Sequence, residues 1–559
     1  MVPAGVVPAG AAPRWGRAAL GPGFGGGRGL CGRGGRRGRQ RPTRKWPVPR
    51  PTLRPMSPAA SRSAATPLAV PRLRPSWDSV RERAVAVLTD PALSGIVDLV
   101  AWRDGEDLHV ANATGQARAP MNGAPTSEDS GSWVTLTGRN PVGNEDALFA
   151  IPLAAALADP SPPNERNAYP FAAARLAQAF LDPARAPDLA VVPTPRHFRP
   201  DHGGHLGEHG SLDAVQSRGP LILSGAGVDA RGVLPRAARI IDVAPTLARL
   251  CGTQLPERRA SGLDELVTPG ARHVVALLWD GVNCSDLLDL AGAGELPHVA
   301  RLLGRGLALA GGVVAEFPSV TLANHTSALT GVGPGVHSIL ANEFVDRPTN
   351  RTVFANDETT WHRACDLLRP GVPTLWELLG ASRSTACVNE PVDRGADYST
   401  LALVRDSGSG SGAAGLRHML PDPRQDRHAD QHWVAADAGY AWSAQVDALG
   451  LVQMHQLWDE AEPPHLTWWN VVGTDAGHHA GGPYSQQARA AMRDADRRLG
   501  ELLDVIDARR LSDNTTIMLL SDHGSEATDP ACQGSWSEAL EHAGVPVRDA
   551  GPGFLYFGG

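Results

Sequence analysis

Two apolar runs of strand length end on acidic residues. HVVALLW (273–279) runs into Asp280-Gly281, and TTIMLLS (515–521) runs into Asp522-His523-Gly524. A run without polar alternation reads as a strand covered on both faces, the condition of a parallel or mixed sheet flanked by helices. Open α/β sheets gather ligands outside the carboxyl ends of their strands, where both acidic residues fall. Neither run approaches the roughly 20 apolar residues of a membrane helix, so no membrane span is expected.

The rest of the chain fits this class. GIVDLVAWRDG and LHVANATG read as strands after a helix in SVRERAVAVLTD, and EDALFAIPLAAALAD and AYPFAAARLAQAFLD read as helices. A strand DLAVVPT, the glycine-rich turn GGHLGEHGSLD (203–213), a strand PLILSG and a helix VAPTLARLCG follow. After the linker GTQLPERRASGLDELVTPGAR, strands and helices alternate again to the final strand-like GFLYFGG. The expected fold is α/β, with a mixed, mostly parallel sheet and helices on both faces.

With 559 residues, 42% hydrophobic and 20% charged, the chain can bury one large core or two ordinary ones. Its six cysteines include no CxxC pair, which argues against a disulfide framework and a thiolate zinc site and fits a reducing cytoplasm. Residues 1–77 hold no Asp or Glu. Residues 1–74 therefore read as a basic, disordered tail, preferred as a plain extension over a weak nucleic-acid-binding arm.

Taken singly, each polar motif has an ordinary explanation. Asp-Gly after a strand is turn chemistry, and Thr321 before a helix fits a cap. DAGHH offers Asp475 with His478 and His479, and GEHG offers His209. Together these carboxylates and imidazoles, without cysteine, suit zinc, or manganese in its place, in a catalytic site.

The motifs WDG, FPSVTLANHTSALTGVGPGVHSILAN, DAGHHAGGP and SDHG, in this order, resemble the nucleotide pyrophosphatase/phosphodiesterase branch of the alkaline phosphatase superfamily. Thr321, Asn324, Thr330-Gly331, Pro334, His337 and Asn342 match its nucleophile region, and Asp475, His479, Gly482 and Pro483 match its D-x-x-G-H-x-x-G-P. His478 stands where the family usually has Gly, which makes it a rival to His479. The resemblance implies an alkaline phosphatase-like fold with a cap insertion, here about 343–465, and two Zn²⁺ ions for which Mn²⁺ is a substitute. One ion would be held by Asp475, His479 and a third histidine, the other by Asp280, Asp522, His523 and the nucleophile Thr321. Asn342 and backbone N–H groups of the following helix would stabilise the phosphoryl oxygens, and water would resolve a phospho-threonine intermediate.

The family finds its third histidine in a GxHG turn after SDHG, but only 35 residues follow Gly524 here, and His542 reads as a helix surface residue. GEHG followed by PLILSG and VAPTLARLCG resembles that missing part. The chain thus resembles a circular permutation, with 75–265 the carboxy-terminal portion of the fold and 266–559 the amino-terminal portion. His209 is then the expected third ligand, with His202 and His205 in turn or supporting roles. Two truncated tandem domains are the alternative. The implied substrate is a small phosphodiester or nucleotide; Trp361, His362 and the stretch NEPVDRGADYST are candidates to shape its pocket. Alternatives are a phosphomonoester or phosphonate hydrolase or a phosphomutase on the same core, and a non-catalytic binding protein. A sulfatase is disfavoured because Thr321 has no C/S-x-P-x-R context. Oligomeric state is not readable from the sequence.

Overall fold

The 273–279 run lies near the centre of an eight-stranded sheet. In order across the sheet its strands are Tyr398–Ser399, Thr385–Val388, Leu466–Val471, His273–Trp279, Thr515–Leu520, Leu221–Gly225, Gly306–Leu309 and Gly232–Leu234. The first five are mutually parallel. Leu221–Gly225 runs antiparallel to both neighbours, and Gly232–Leu234 is parallel to Gly306–Leu309. The sheet is therefore mixed and mostly parallel, in an α/β fold. This computed structural model describes residues 77–558 apart from 122–132, 151–165, 254, 256–262, 381–382 and 552. The expected basic tail lies outside the described residues.

The apolar run is buried on both faces, as its unbroken hydrophobicity requires. Val274, Ala276 and Leu278 join one core cluster with Leu247 and Leu322, from the helices Val243–Leu250 and Thr321–Thr330. Val275, Leu277 and Trp279 join the opposite cluster with Leu287, Leu302 and Leu499, from the helices Cys284–Gly292, Pro297–Gly304 and Gln486–Ala508. The alternation follows from the period of two along a strand.

A second sheet was not legible in the sequence. Its seven strands, all antiparallel, run in the order Val547–Ala550, Phe554–Phe557, Leu189–Pro193, Val97–Asp104, Asp107–Asn112, Gly115–Pro120 and Val134–Gly138. The strand in DLAVVPT belongs here rather than to the parallel sheet. Gly105 and Glu106 join Asp104 to Asp107 in a two-residue turn, Gly105 at φ 60°, and so tight a connection makes the strands antiparallel.

The helix expected over EDALFAIPLAAALAD is absent from its described part, 145–150. The Asn144 side chain accepts from Asp146 N and the Asp146 side chain from Leu148 N, so local side-chain bonds displace helical ones. The rest of that stretch lies outside the described residues. Within the expected cap, Thr385–Val388 and Tyr398–Ser399 are strands of the central sheet. The remainder includes a hairpin, Glu343–Asp346 with Arg351–Phe354, and the 22-residue helix Ala438–Asp459.

Candidate active site

Three adjacent parallel strands deliver three carboxylates to one edge of the sheet. Leu278 pairs with both Asn470 and Leu520, so the strands ending near Asp280, Asp475 and Asp522 finish side by side. Asp475 and His479 sit four residues apart on the helix Gly473–Gly481, one turn that brings His479 Nε2 to 3.2 Å from Asp475 Oδ2. His523 Nε2 lies 3.2 Å from Asp522 Oδ2 and 3.5 Å from Asp280 Oδ1. Gly281 has φ 71°, and a Cβ there would stand 2.5 Å from Asp475 Oδ1, so the WDG turn needs glycine on both counts.

The histidine turn docks onto this edge from the other half of the chain. Gly207–Glu208 pairs antiparallel with Glu526–Ala527, just beyond His523, and Gly524 N donates to Gln216 O at 2.9 Å. His209 Nε2 then lies 4.0 Å from Asp475 Oδ1, and its ring stacks on His523 with centroids 3.8 Å apart. Among the described residues three groups of donor atoms each lie within 4.8 Å: His209/Asp475/His479, Asp280/Asp522/His523, and His205/Glu208/His479, which shares His479 with the first.

The imidazoles share one arrangement. Nδ1 of His209, His479 and His523 faces the carbonyl of Ser319, Gly207 and Gly524 at 2.9, 2.8 and 2.9 Å. A carbonyl only accepts, so each Nδ1 carries a proton and Nε2 is the nitrogen turned toward the carboxylates. Buried Asp280 Oδ1 and Asp475 Oδ1 have no hydrogen-bond partner. Burial, Asp522 and Asp475 push Asp280 well above the usual carboxylate range. Burial and His523 push His209 down to about 4, while Asp475 overcomes burial to hold His479 at about 10. Clustered carboxylates with orphaned oxygens, faced by Nε2 atoms whose Nδ1–H groups are anchored on carbonyls, fit divalent cations that displace the Nε2 proton.

Thr321 opens the helix Thr321–Thr330, and its Oγ1 lies 3.4 Å from His523 Nε2. Asn342 Oδ1 accepts from Leu322 N at 3.0 Å, which turns its amide nitrogen toward other acceptors. That bond also commits one backbone N–H expected to serve the phosphoryl oxygens.

His478 does not compete with His479. Its Nδ1 bonds Thr474 O at 2.7 Å and its Nε2 points to Asp286, 4.0 Å away. His205 Nδ1 pairs with Glu208 Oε1 at 2.8 Å and its ring lies 4.1 Å from His479. His202 contacts Asp201 and Arg199 outside the cluster. His542 is exposed at the end of the helix Trp536–His542.

Sequence reasoning missed His325. This fully buried imidazole sets Nδ1 2.8 Å from Glu390 Oε2 and Nε2 3.4 Å from Asp522 Oδ2, tying the NEPVDR loop to the carboxylates. Glu390 also accepts from Trp468 Nε1 and Val392 N. The available signal was spacing: His325 is four residues after Thr321, on the same helix face. A cavity of about 590 Å³ opens over Asp280, Thr321, Asp475 and His479, and Trp361, Leu401, Leu416, Trp442 and Val446 line it too. His362 is buried away from it, its carbonyl accepting from Arg405.

The chain is similar to an uncharacterised pyrophosphatase/phosphodiesterase of Schizosaccharomyces pombe, 24% identical over 279 residues, and spans about half that relative's length, as the match spans half of its own. Among solved structures it is similar to murine ectonucleotide pyrophosphatase/phosphodiesterase 5 in complex with AMP (16% identity, 45% of this chain and 57% of that one, TM-score 0.32). It is also similar to phosphonoacetate hydrolase of Sinorhizobium meliloti in complex with phosphonoformate (22% identity, 46% and 57%, TM-score 0.31). The family model for type I phosphodiesterase / nucleotide pyrophosphatase matches residues 274–556, half of the chain, and the chain belongs to that family.

Proposed function

We propose that this chain hydrolyses a phosphodiester or nucleotide pyrophosphate bond through a covalent phospho-threonine on Thr321. The observation that carries this reading is the convergence of three carboxylates and three Nε2 atoms around the Thr321 hydroxyl at the head of a helix. Asp475, His479 and His209 would hold one divalent cation and Asp280, Asp522, His523 and Thr321 the other, zinc in the first instance with manganese as substitute. Bound there, the cations lower the hydroxyl pKa and offset charge on attacking and leaving oxygens. Thr321 Oγ1 attacks phosphorus, the bond to the leaving oxygen breaks, and water on the opposite side then cleaves the Thr–phosphorus bond. Asn342, oriented by Leu322 N, donates its amide N–H to a non-bridging oxygen.

We further propose that the chain is circularly permuted relative to its family, 75–265 supplying the carboxy-terminal portion and 266–559 the amino-terminal portion. The strand Leu221–Gly225 between Thr515–Leu520 and Gly306–Leu309 supports this order, as does the His209 turn paired just beyond His523. The two-tandem-domain alternative would leave each half without part of this cluster. The test of function is turnover of bis-p-nitrophenyl phosphate against p-nitrophenyl phosphate with added Zn²⁺ or Mn²⁺. The diester should be preferred and EDTA should abolish the rate. A preference for the monoester would favour a phosphatase on the same core; no turnover with either metal would favour a binding protein.

A further inference from the structure

The cavity over Thr321 is uneven in charge. Among the described residues that line it there is no arginine or lysine, so beyond the clustered ligands nothing in its wall neutralises a second anionic group. Part of the wall is apolar: Leu401, Leu416 and Val446 belong to one hydrophobic cluster, with Trp361 and Trp442 packed against it. Among the described lining residues, the one carboxylate outside the ligand clusters is Asp437. It caps the helix Ala438–Asp459, accepting from Tyr440 N at 2.9 Å and from Gln487 Nε2 at 3.2 Å. A negative side chain thus occupies the helix end that would otherwise attract anions.

We infer that Asp437 is a charge filter, and that the substrate is a phosphodiester with a single negative charge and an uncharged, largely apolar organic group. This deepens the phosphodiesterase reading and rests on it. The phosphoryl group to be cleaved sits at Thr321, and beyond the clustered ligands a further phosphate or carboxylate meets apolar side chains, neutral polar ones such as Asn356 and Ser443, and the carboxylate of Asp437. Like charges set near one another without a counter-ion are disfavoured, more so where protein excludes water.

The test compares kcat/KM for the p-nitrophenyl ester of thymidine 5′-monophosphate, a singly charged diester, with that for ATP, in wild type and Asp437→Asn. Asparagine caps a helix as well as aspartate, so the variant removes charge and keeps the cap. Asp459→Asn, at the far end of the same helix about 33 Å away, is the control for net charge. Wild type should favour the diester by about a hundredfold, and Asp437→Asn should shift the ratio toward ATP by about tenfold, with Asp459→Asn leaving it unchanged. In the Thr321→Ala background, ATP should displace bound bis-p-nitrophenyl phosphate more effectively once Asp437→Asn is added. Equal use of the two substrates by wild type, or an unchanged ratio in Asp437→Asn, overturns the filter and leaves the esterase reading standing. Failure to turn over either substrate overturns both.

Discussion

At the residue scale, three backbone carbonyls decide what the imidazoles can do. By holding Nδ1–H of His209, His479 and His523, they leave each Nε2 free to act as a ligand and spend no side chain on orientation. Thr321 stands beside His523 but holds no carboxylate in place, so Thr321→Ala should remove turnover by about a thousandfold or more while bound metal stays near the wild-type level. Elemental analysis alongside the rate checks it; near-normal turnover would mean direct attack by water. Asp280, Asp522 and His523 were legible because they follow directly on apolar strands. His325 was not: a histidine inside a buried helix gives no local sign that Glu390, 65 residues away, faces its other nitrogen.

At the element scale, some local preferences give way to the site. Asn283 stands at the N-cap position of Cys284–Gly292, yet its side chain makes no capping bond. It donates to Ser525 O and accepts from Ser525 N instead, stapling the loop after Asp280 to the loop after Asp522. In the same helix Asp286 is buried, and burial pushes it up to about 7 from an ordinary 3.8. The folded state therefore keeps a proton that the unfolded chain releases, and stability falls as pH rises from about 4 to 7. Asp286→Asn, which cannot ionise, should raise the melting temperature by a few degrees at pH 8 and leave it unchanged at pH 4, where aspartate is protonated when folded. An equal shift at both pH values would place the effect in packing. Long apolar runs made the central strands readable. Thr385–Val388 and Gly306–Leu309 were missed because four apolar or small residues carry no period. DAGHH forms a helix whose glycines and histidines are weak helix formers, held by the sheet edge it caps.

At the scale of the whole molecule, the two halves share both sheets. Phe554 and Leu555 pair with Ala190 and Leu189, and Phe557 packs against the cluster containing Val80 and Leu88. The end of the chain therefore lies against its first described helix, so a short flexible linker can join them. A gene reordered as 266–559, linker, 75–265 should fold and hydrolyse bis-p-nitrophenyl phosphate, whereas 266–559 alone should be inactive. An active fragment would contradict the shared site. The antiparallel sheet escaped sequence reading because its local hairpins, within 97–138 and 547–557, meet only through Leu189–Pro193, which pairs with Val97–Asp104 about 90 residues before it and with Phe554–Phe557 more than 360 residues after it. The most direct measurement is zinc content and diester turnover in His209→Ala, the one proposed ligand from the front half. The account predicts loss of about one zinc per chain and a rate at least about a hundredfold lower, with wild-type folding by circular dichroism. A His209→Ala protein with full metal content and wild-type turnover would contradict it.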